Sequence, residues 1–531
     1  MPTYNVLHEP WIVVEDLEGA ERYLGILDVL EQAHQLRRVV EPAPPIQCGM
    51  YRLLLALVMD ALDLQEIEDL GALLEDGQIP MTKLHQYIER VSPSRFDLFD
   101  EKTPFLQMPA VGAEDGETKS VAELFFHLPT GTNVTHFHHV QANEQAIAPD
   151  VCARALCAVA PFMTAGGAGY SPSINGTPPW YVFVKGTTLF ETLVLNIYLA
   201  TTQGMGRGMP AWRQDEAVVP KAPRTCDGLL AGLTWQPREI RLLPGEGGFC
   251  TYSGMSASVL VRRIHYGPGA KYDGVNWTDP QVAYKTTEKG RMSIRPQEGR
   301  ALWRDAGALF LLRQGDYSGD KGKVRFARPA VVDQLRVLRN EWDWTPASAS
   351  LIFEAYGMRV DKAKVFEWQY DQIGLPDALL DRPRVAERVQ QALDLSETIS
   401  YYLARALKKA YPRNGGGNAS ALGRLISRSQ TTYWNILRDA FMDEFLWTLS
   451  AKGVDDPESM QSLLGEWGNR CKEVGLQVVQ DAVGPLDANA AALARQQDVL
   501  TTFRVSVYRL LHADSLGAKK VKKSKKKGDA T

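Results

Sequence analysis

Cysteine is scarce in this chain, and the six present (Cys48, Cys152, Cys157, Cys226, Cys250, Cys471) are scattered without a CxxC pair among them. That excludes the dense disulfide framework of small secreted domains, and reduced thiols in a cytoplasmic setting are expected. No uncharged apolar run approaches the roughly 18 to 20 residues that cross a bilayer, and the start MPTYNVLHEPW has neither a basic opening nor an apolar core. No membrane association is therefore expected. Signatures of common chemistry are missing too: GxxxxGK[ST], which cradles phosphates, and GxSxG, which presents a serine nucleophile, do not occur. The glycine-rich Gly166, Gly167 and Gly169 lead into Tyr170-Ser171-Pro172, without the spacing or following helix of a dinucleotide fingerprint. No repeat of fixed period is found, no cofactor is implied, and the chain does not read as an enzyme.

What is present is an ordinary globular composition, 45% apolar and 23% charged, in 531 residues, more than one hydrophobic core usually serves. A strand over Tyr4–Val14 precedes a helix-like stretch at Ile26–Leu36, and apolar residues recur from Met50 to Leu62 as in a helix buried on several sides. From about Pro80 to Tyr370, short apolar runs such as Trp180–Val184 and Ala257–Val261 are broken by Gly and Pro, with one helical candidate at Leu189–Ala200. After Pro376 the texture changes. Asp381 and Pro383 form a helix start, and Val385, Val389, Ala392, Ile399, Leu403 and Ala406 follow at helical spacing. Three more helical segments, near Thr431–Ser450, Pro457–Val483 and Leu486–His512, follow with short joints. The expected fold is α+β: a large irregular mixed N-terminal domain over 1–375, then a C-terminal antiparallel four-helix bundle over 376–514. The last residues, 515–531, carry seven lysines and read as a disordered tail.

Removing that tail's seven lysines and single acid from 59 basic and 63 acidic residues leaves 52 and 62, so any polyanion binding must rest on local cationic surfaces. Two such regions stand out. Residues 285–328 hold eleven Lys or Arg, among them Lys285 and Lys289, against five acids. Between Tyr401 and Arg438 there are seven basic residues and no acid; Arg405 with Lys408 and Lys409, and Arg424 with Arg428, fall at helical spacings that share a face. Both groups suit DNA phosphates, with nearby Tyr401, Tyr402, Tyr411, Tyr433 and Trp434 either packing or stacking. The glycines at 166–169 suit either close backbone approach to a nucleic-acid groove or a plain surface turn. His127, His136, His138 and His139 fall within thirteen residues, which would serve a metal-dependent hydrolase, but no Cys, Asp or Glu completes a ligand set between Thr130 and Gln141. Polar loop contacts or RNA stacking are the other readings of that cluster.

The order of several blocks, NVLHEPWIVV, PTGTNVTHFHH, GGAGYSPSINGTPPWYVFVKG and LTWQPREIRL, followed by a helical C-terminal region, resembles the large-subunit (CasA) family of type I-E CRISPR Cascade complexes. The resemblance implies a subunit of an RNA-guided assembly that recognises a protospacer-adjacent motif in duplex DNA from the minor groove, helps open it, and supports a helicase-nuclease or other effector nuclease. Implied partners are guide CRISPR RNA, double-stranded target DNA and the other Cascade backbone and small subunits. By the same resemblance, Gly166, Gly167 and Gly169 form the groove-facing loop, with Gly169 as the backbone contact. Lys289, or alternatively Lys285, is the lysine finger. Thr132, Asn133, His136 and Phe137 belong to the loop touching the guide RNA's 5′ handle. The family's glutamine wedge falls at Lys362, after Asp361, with Gln369 and Gln372 as alternatives. Zinc-binding cysteine clusters of some members, near Cys152 and Cys250, are absent, and no zinc is expected. An architectural subunit that binds RNA alone is the remaining alternative.

Overall fold

The computed structural model describes residues 2–108, 118–128, 145–166, 169–199, 205–215, 219–275, 277–313, 324–346, 350–361, 364–380, 382–411, 418–451, 457–484 and 489–512. Two compact units emerge, one formed by 1–302 with 313–374 and the other by 303–312 with 375–531.

The first unit is organised around the helix Pro44–Leu62. Prolines in its first turn cost no hydrogen bond there, and Asp63 in the left-handed conformation (φ 54°) ends it. By length and composition it would cross a membrane, but 94% of its apolar window is buried in the protein, so it is a core helix. Its charged residues are matched. Arg52 grips Asp279 with two hydrogen bonds (Nη1 to Oδ1 3.1 Å, Nη2 to Oδ2 2.9 Å), donates to Gln281 Oε1 at 2.6 Å, and lies 4.8 Å over the Tyr181 ring. Both members of the pair are buried, so removing one would strand a charge at a cost of roughly 3 to 5 kcal/mol.

Small sheets surround this helix. Ile12–Asp16 is the central strand between Glu21–Leu24 and Leu36–Val39. Tyr181–Lys185, which takes up most of the apolar run Trp180–Val184, pairs with Ser350–Asp361, which in turn pairs with Lys364–Pro376. A long hairpin, Arg238–Phe249 with Ser256–Pro268, takes Lys119–Ser120 at its edge. The strand Tyr284–Thr287 lies between Gly290–Ser293 and Val324–Ala327. These short sheets, rather than one continuous sheet, follow from the frequent Gly and Pro interruptions.

The second unit is helical. Its long helices are Pro383–Leu407, Asn418–Asp439, Pro457–Val483 and Ala490–Leu511, and the second continues through a π-helical turn, Ala440–Phe445, into Leu446–Ala451. Val385, Val389, Ala392, Ile399, Leu403 and Ala406 are all buried, so the periodicity read from the sequence marks the packed face. The segment 303–312 joins this unit, with Trp303 against Trp434 and Phe441. At the centre Trp467 Nε1 donates to Ser396 Oγ (2.9 Å) and Tyr433 Oη donates to the Ser396 carbonyl (3.2 Å), satisfying the buried polar groups. The second long helix starts at Asn418, thirteen residues before the expected Thr431, in a stretch where Leu422, Leu425 and Ile426 fall at helical spacing among glycine and serine residues. Asp381, expected as the cap of the first, lies outside the described residues, and Pro383 occupies its first turn.

Candidate nucleic-acid interface

The glycine segment runs between the helix Val159–Phe162 and the strand Tyr181–Lys185. Gly169 is exposed and takes φ +88°, a conformation that side chains rarely adopt. Gly166 is half-buried, and Gly167 lies outside the described residues. Arg238, almost fully buried at the start of the long hairpin, straps the segment: its guanidinium donates to the carbonyls of Thr164 and Ser171, one on either side of the glycines. The same guanidinium donates from Nε to Tyr266 Oη at 3.1 Å and stands 4.9 Å over the Tyr170 ring. Tyr170 stacks on Tyr266 (5.9 Å) and accepts from Lys119 Nζ at 3.0 Å. Burial pushes the nearby Glu123 carboxyl up, with Lys119 and Arg238 pulling the other way. The result is an exposed Gly169 backbone flanked by residues that a buried cation and two stacked tyrosines hold in place.

Lys289 occupies the tip of the hairpin Tyr284–Thr287 and Gly290–Ser293. Thr287 pairs with Gly290, so Glu288 and Lys289 form a two-residue turn, and Gly290 at φ +111° supplies the conformation that closes it. Thr287 Oγ1 accepts from the Lys289 amide at 3.2 Å. The Lys289 side chain is exposed, whereas Lys285, inside the strand, is half-buried. At the root of this hairpin the Asp279 amide donates to Tyr284 Oη (2.9 Å), and Asp279 is the carboxylate held by Arg52. Asn175, a few residues beyond Gly169, also donates to Asp279 Oδ2 at 2.7 Å. The glycine segment and the lysine hairpin thus share one buried anchor.

Of the eleven cations in 285–328, some are spent elsewhere: Arg328 is buried on Asp333 (2.8 Å), and Arg304 pairs with Glu397 inside the second unit. Arg291 lies 3.8 Å over Tyr284. Lys362 lies outside the described residues, in the connection between the strands Ser350–Asp361 and Lys364–Pro376; Asp361 ends the first of them. Gln369 and Gln372 lie within the second strand, Gln369 donating to Glu367 and Gln372 accepting from Lys185 at 2.9 Å. Thr132, Asn133, His136, Phe137, His138 and His139 lie outside the described residues. His127 sits among aromatic rings, 5.1 Å from Trp368 and 5.6 Å from Tyr252, and among the described residues no group of three or more His, Cys, Asp or Glu is gathered for a metal. Cys152 and Cys250 are buried thiols.

In the second unit Arg405, Lys408, Lys409, Arg424 and Arg428 are all exposed. Lys409 is partly neutralised by Asp498 (3.0 Å), and Arg424 bonds Ser420. Among the described residues no carboxylate pairs with Arg405, Lys408, Arg424 or Arg428. Tyr433 and Trp434 are core residues, whereas Tyr401 is 61% exposed beside the cations. Reasoning from the sequence missed Arg238 and Asn175 as organisers of the glycine segment. Both sit in blocks that carry the resemblance, but neither residue type signals a loop clamp without the contacts.

A family model described as CRISPR-associated protein Cse1 matches residues 5–478. The CRISPR-associated protein CasA/Cse1 of Thermus thermophilus is 29% identical over 465 residues, covering 82% of this chain and 86% of that protein. Among solved structures, Cse1 from Acidimicrobium ferrooxidans is similar with a TM-score of 0.74 at 20% identity, covering 97% of this chain and 99% of that one. Thermobifida fusca Cse1 gives 0.74 at 22% identity over 96% and 98%. A chain from a structure described as a CRISPR RNA-guided surveillance complex gives 0.74 at 22% identity, covering 96% of this chain and all of that one.

Proposed function

The chain belongs to the CRISPR-associated protein Cse1 family, and from that membership we propose that it is the large subunit of an RNA-guided surveillance complex that recognises a short motif in duplex DNA. The observation that carries the reading is the pair of exposed elements on a common anchor: the Gly169 backbone at φ +88° and the Lys289 hairpin tip, tied together through Asp279. A bare backbone enters a minor groove where a side chain would clash, and a flexible ammonium at a hairpin tip reaches the acceptors on the groove floor. Because A·T and T·A pairs present the same acceptors there, such a site tolerates more than one motif.

In this reading guide RNA reads the rest of the target by base pairing, and the loop containing Thr132, Asn133, His136 and Phe137 contacts the guide's 5′ handle. The connection at Lys362 helps part the duplex. The helices from 376 to 514, taken as an antiparallel four-helix bundle, offer Arg405, Lys408, Lys409, Arg424 and Arg428 to phosphates, and the seven lysines of the tail add further positive charge. The protein works as a cytoplasmic, non-enzymatic subunit, beside the complex's other subunits and a separate effector nuclease.

The test is duplex binding by the assembled complex, with the motif intact or its flanking sequence scrambled. Lys289→Ala and Gly169→Asp should each weaken motif-dependent binding by about 1 to 3 kcal/mol while the subunit stays folded. Unchanged binding in both variants would remove the assignment, and indifference of the native complex to scrambling would point instead to an architectural RNA-binding subunit.

A further inference from the structure

Gly169 is touched by a lysine from a distant part of the chain. A Cβ built on Gly169 would stand 2.5 Å from Lys221 Cε, 3.1 Å from its Cδ and 3.3 Å from its Nζ, so the lysine stem lies along the glycine and carries its ammonium beside the exposed backbone. Lys221 itself is exposed, its amide donates to the Gly269 carbonyl (3.3 Å), and its ammonium has no hydrogen-bond or ion-pair partner among the described residues. Its backbone is left-handed, at φ +64°. Of the other described non-glycine residues with positive φ, Asp63 and Asp343 are left-handed helix ends, where that conformation is commonplace, Ser92 ends a helix in a different conformation, and Leu106, like Lys221, lies in a turn. Lys221 ends no helix. A lysine at a position that glycine or asparagine occupies with less strain is one whose side chain, not its backbone, is being placed.

We propose that Lys221 is a further binding residue of the glycine-loop site, a cation that takes a backbone phosphate of the duplex engaged by Gly169. The proposal rests on the reading of that loop as the DNA-facing element. A long ammonium that packs on the loop itself contacts the strand flanking the groove wherever Gly169 enters it, and it carries no base preference.

The experiment is equilibrium binding of a motif-bearing duplex by the assembled complex over a range of salt concentrations, with Lys221→Ala, Lys221→Gly, Lys221→Arg and, as the control for the loop, Gly169→Asp. Losing one phosphate contact should lower the slope of log affinity against log salt by about 0.9 and weaken binding roughly eightfold at about 0.1 M salt, equally for every motif. Lys221→Arg should retain binding. Lys221→Gly relieves the left-handed strain, so it should melt no lower than the native protein yet bind as poorly as the alanine variant. Native affinity and slope in the alanine and glycine variants, with Gly169→Asp defective, would overturn the role of Lys221 and leave the loop reading standing. Tighter binding by Lys221→Ala would mark the lysine as a cover and also overturn it. Native binding by Gly169→Asp would remove the loop reading, and the proposal with it.

Discussion

Replacing Arg238 by methionine isolates the geometry of the glycine segment from its charge. The guanidinium is 4% exposed and surrounded by protein acceptors, so it cannot itself meet a phosphate. Two of its bonds hold the Thr164 and Ser171 carbonyls, and hydrogen bonds from a charged donor contribute about 1.5 to 3 kcal/mol each. Methionine keeps much of the volume and loses both bonds; water that reaches the freed carbonyls returns part of the loss, leaving about 3 kcal/mol against the ordered segment. That shifts its population by roughly a hundredfold, and because only the ordered fraction binds, motif-dependent affinity should fall on the order of tenfold to a hundredfold. Lysine at 238 should not rescue, since an ammonium lacks the planar fork that reaches two carbonyls at once. The readout is binding of motif-bearing and scrambled duplexes at several salt concentrations, alongside thermal melting. Motif discrimination should collapse while the salt slope stays native. Affinity within about twofold of native, or a slope reduced as though a phosphate contact were lost, would refute the clamp.

Two other outcomes concern the cationic helices and an exposed carboxylate. Replacing Arg424 and Arg428 together by alanine should lower the salt slope by about 2 without altering motif preference, and an unchanged slope would show that this face meets no phosphate. The amides of Gln65 and Glu66 donate to Asp69 Oδ2 (2.9 and 3.1 Å) and hold its carboxyl below the usual range. A carboxylate with a lowered folded-state pKa contributes stability that is present above its unfolded value, near pH 4, and lost as the pH falls below it. Urea unfolding of Asp69→Asn should therefore show a deficit at about pH 6 that shrinks as the pH falls below about 4; a deficit constant with pH would exclude the effect.

The helical part of the fold was legible because its signal is periodic. Val385, Val389, Ala392 and Ile399 repeat at the spacing of one helix face, and that face is the packed one. The helix Pro44–Leu62 was legible only from Met50 onward, for the related reason that a run apolar on every side has to be buried. The start of the second long helix was not, although Leu422, Leu425 and Ile426 fall at helical spacing and are half-buried, because the glycine- and serine-rich sequence around them reads as a loop. In the first unit the strands are short and their partners distant: Lys119 meets Ile264, and Tyr181 meets Tyr356. No local pattern encodes such pairings. The same holds for the candidate site. Gly169 and Lys289 stood out as residue types, but Arg238, Asn175, Asp279 and Lys221 act through contacts spanning 52 to 227 residues of sequence, and only folding brings them to their partners.

Distance in sequence also bears on the conflict between an acidic body and the polyanionic partner proposed for it. Excluding the lysine-rich tail, acids outnumber bases by ten, which on average should repel DNA. Averages count charges that exert little outward field. Arg52 and Asp279 cancel inside the first unit, as do Arg154 with Glu41 and Asp150, and Asp60 with Arg207 and Arg213. What a phosphate meets is the remainder at close range, because screening confines an exposed charge's influence to about 8 to 10 Å at physiological salt. In the first unit that remainder includes Lys221 and Lys289, exposed and without a carboxylate partner among the described residues, on elements that share the Asp279 anchor or touch Gly169. In the second it includes Arg405, Lys408, Arg424 and Arg428. Under the proposed function, the acidic surplus repels DNA at long range, and each unit holds it only where its own exposed cations meet phosphate, those of the first unit beside the glycine backbone. On that proposal, weak binding to arbitrary duplex is expected from the same charge distribution that permits tight binding at a matched site, and the acidic surplus would act as a source of selectivity.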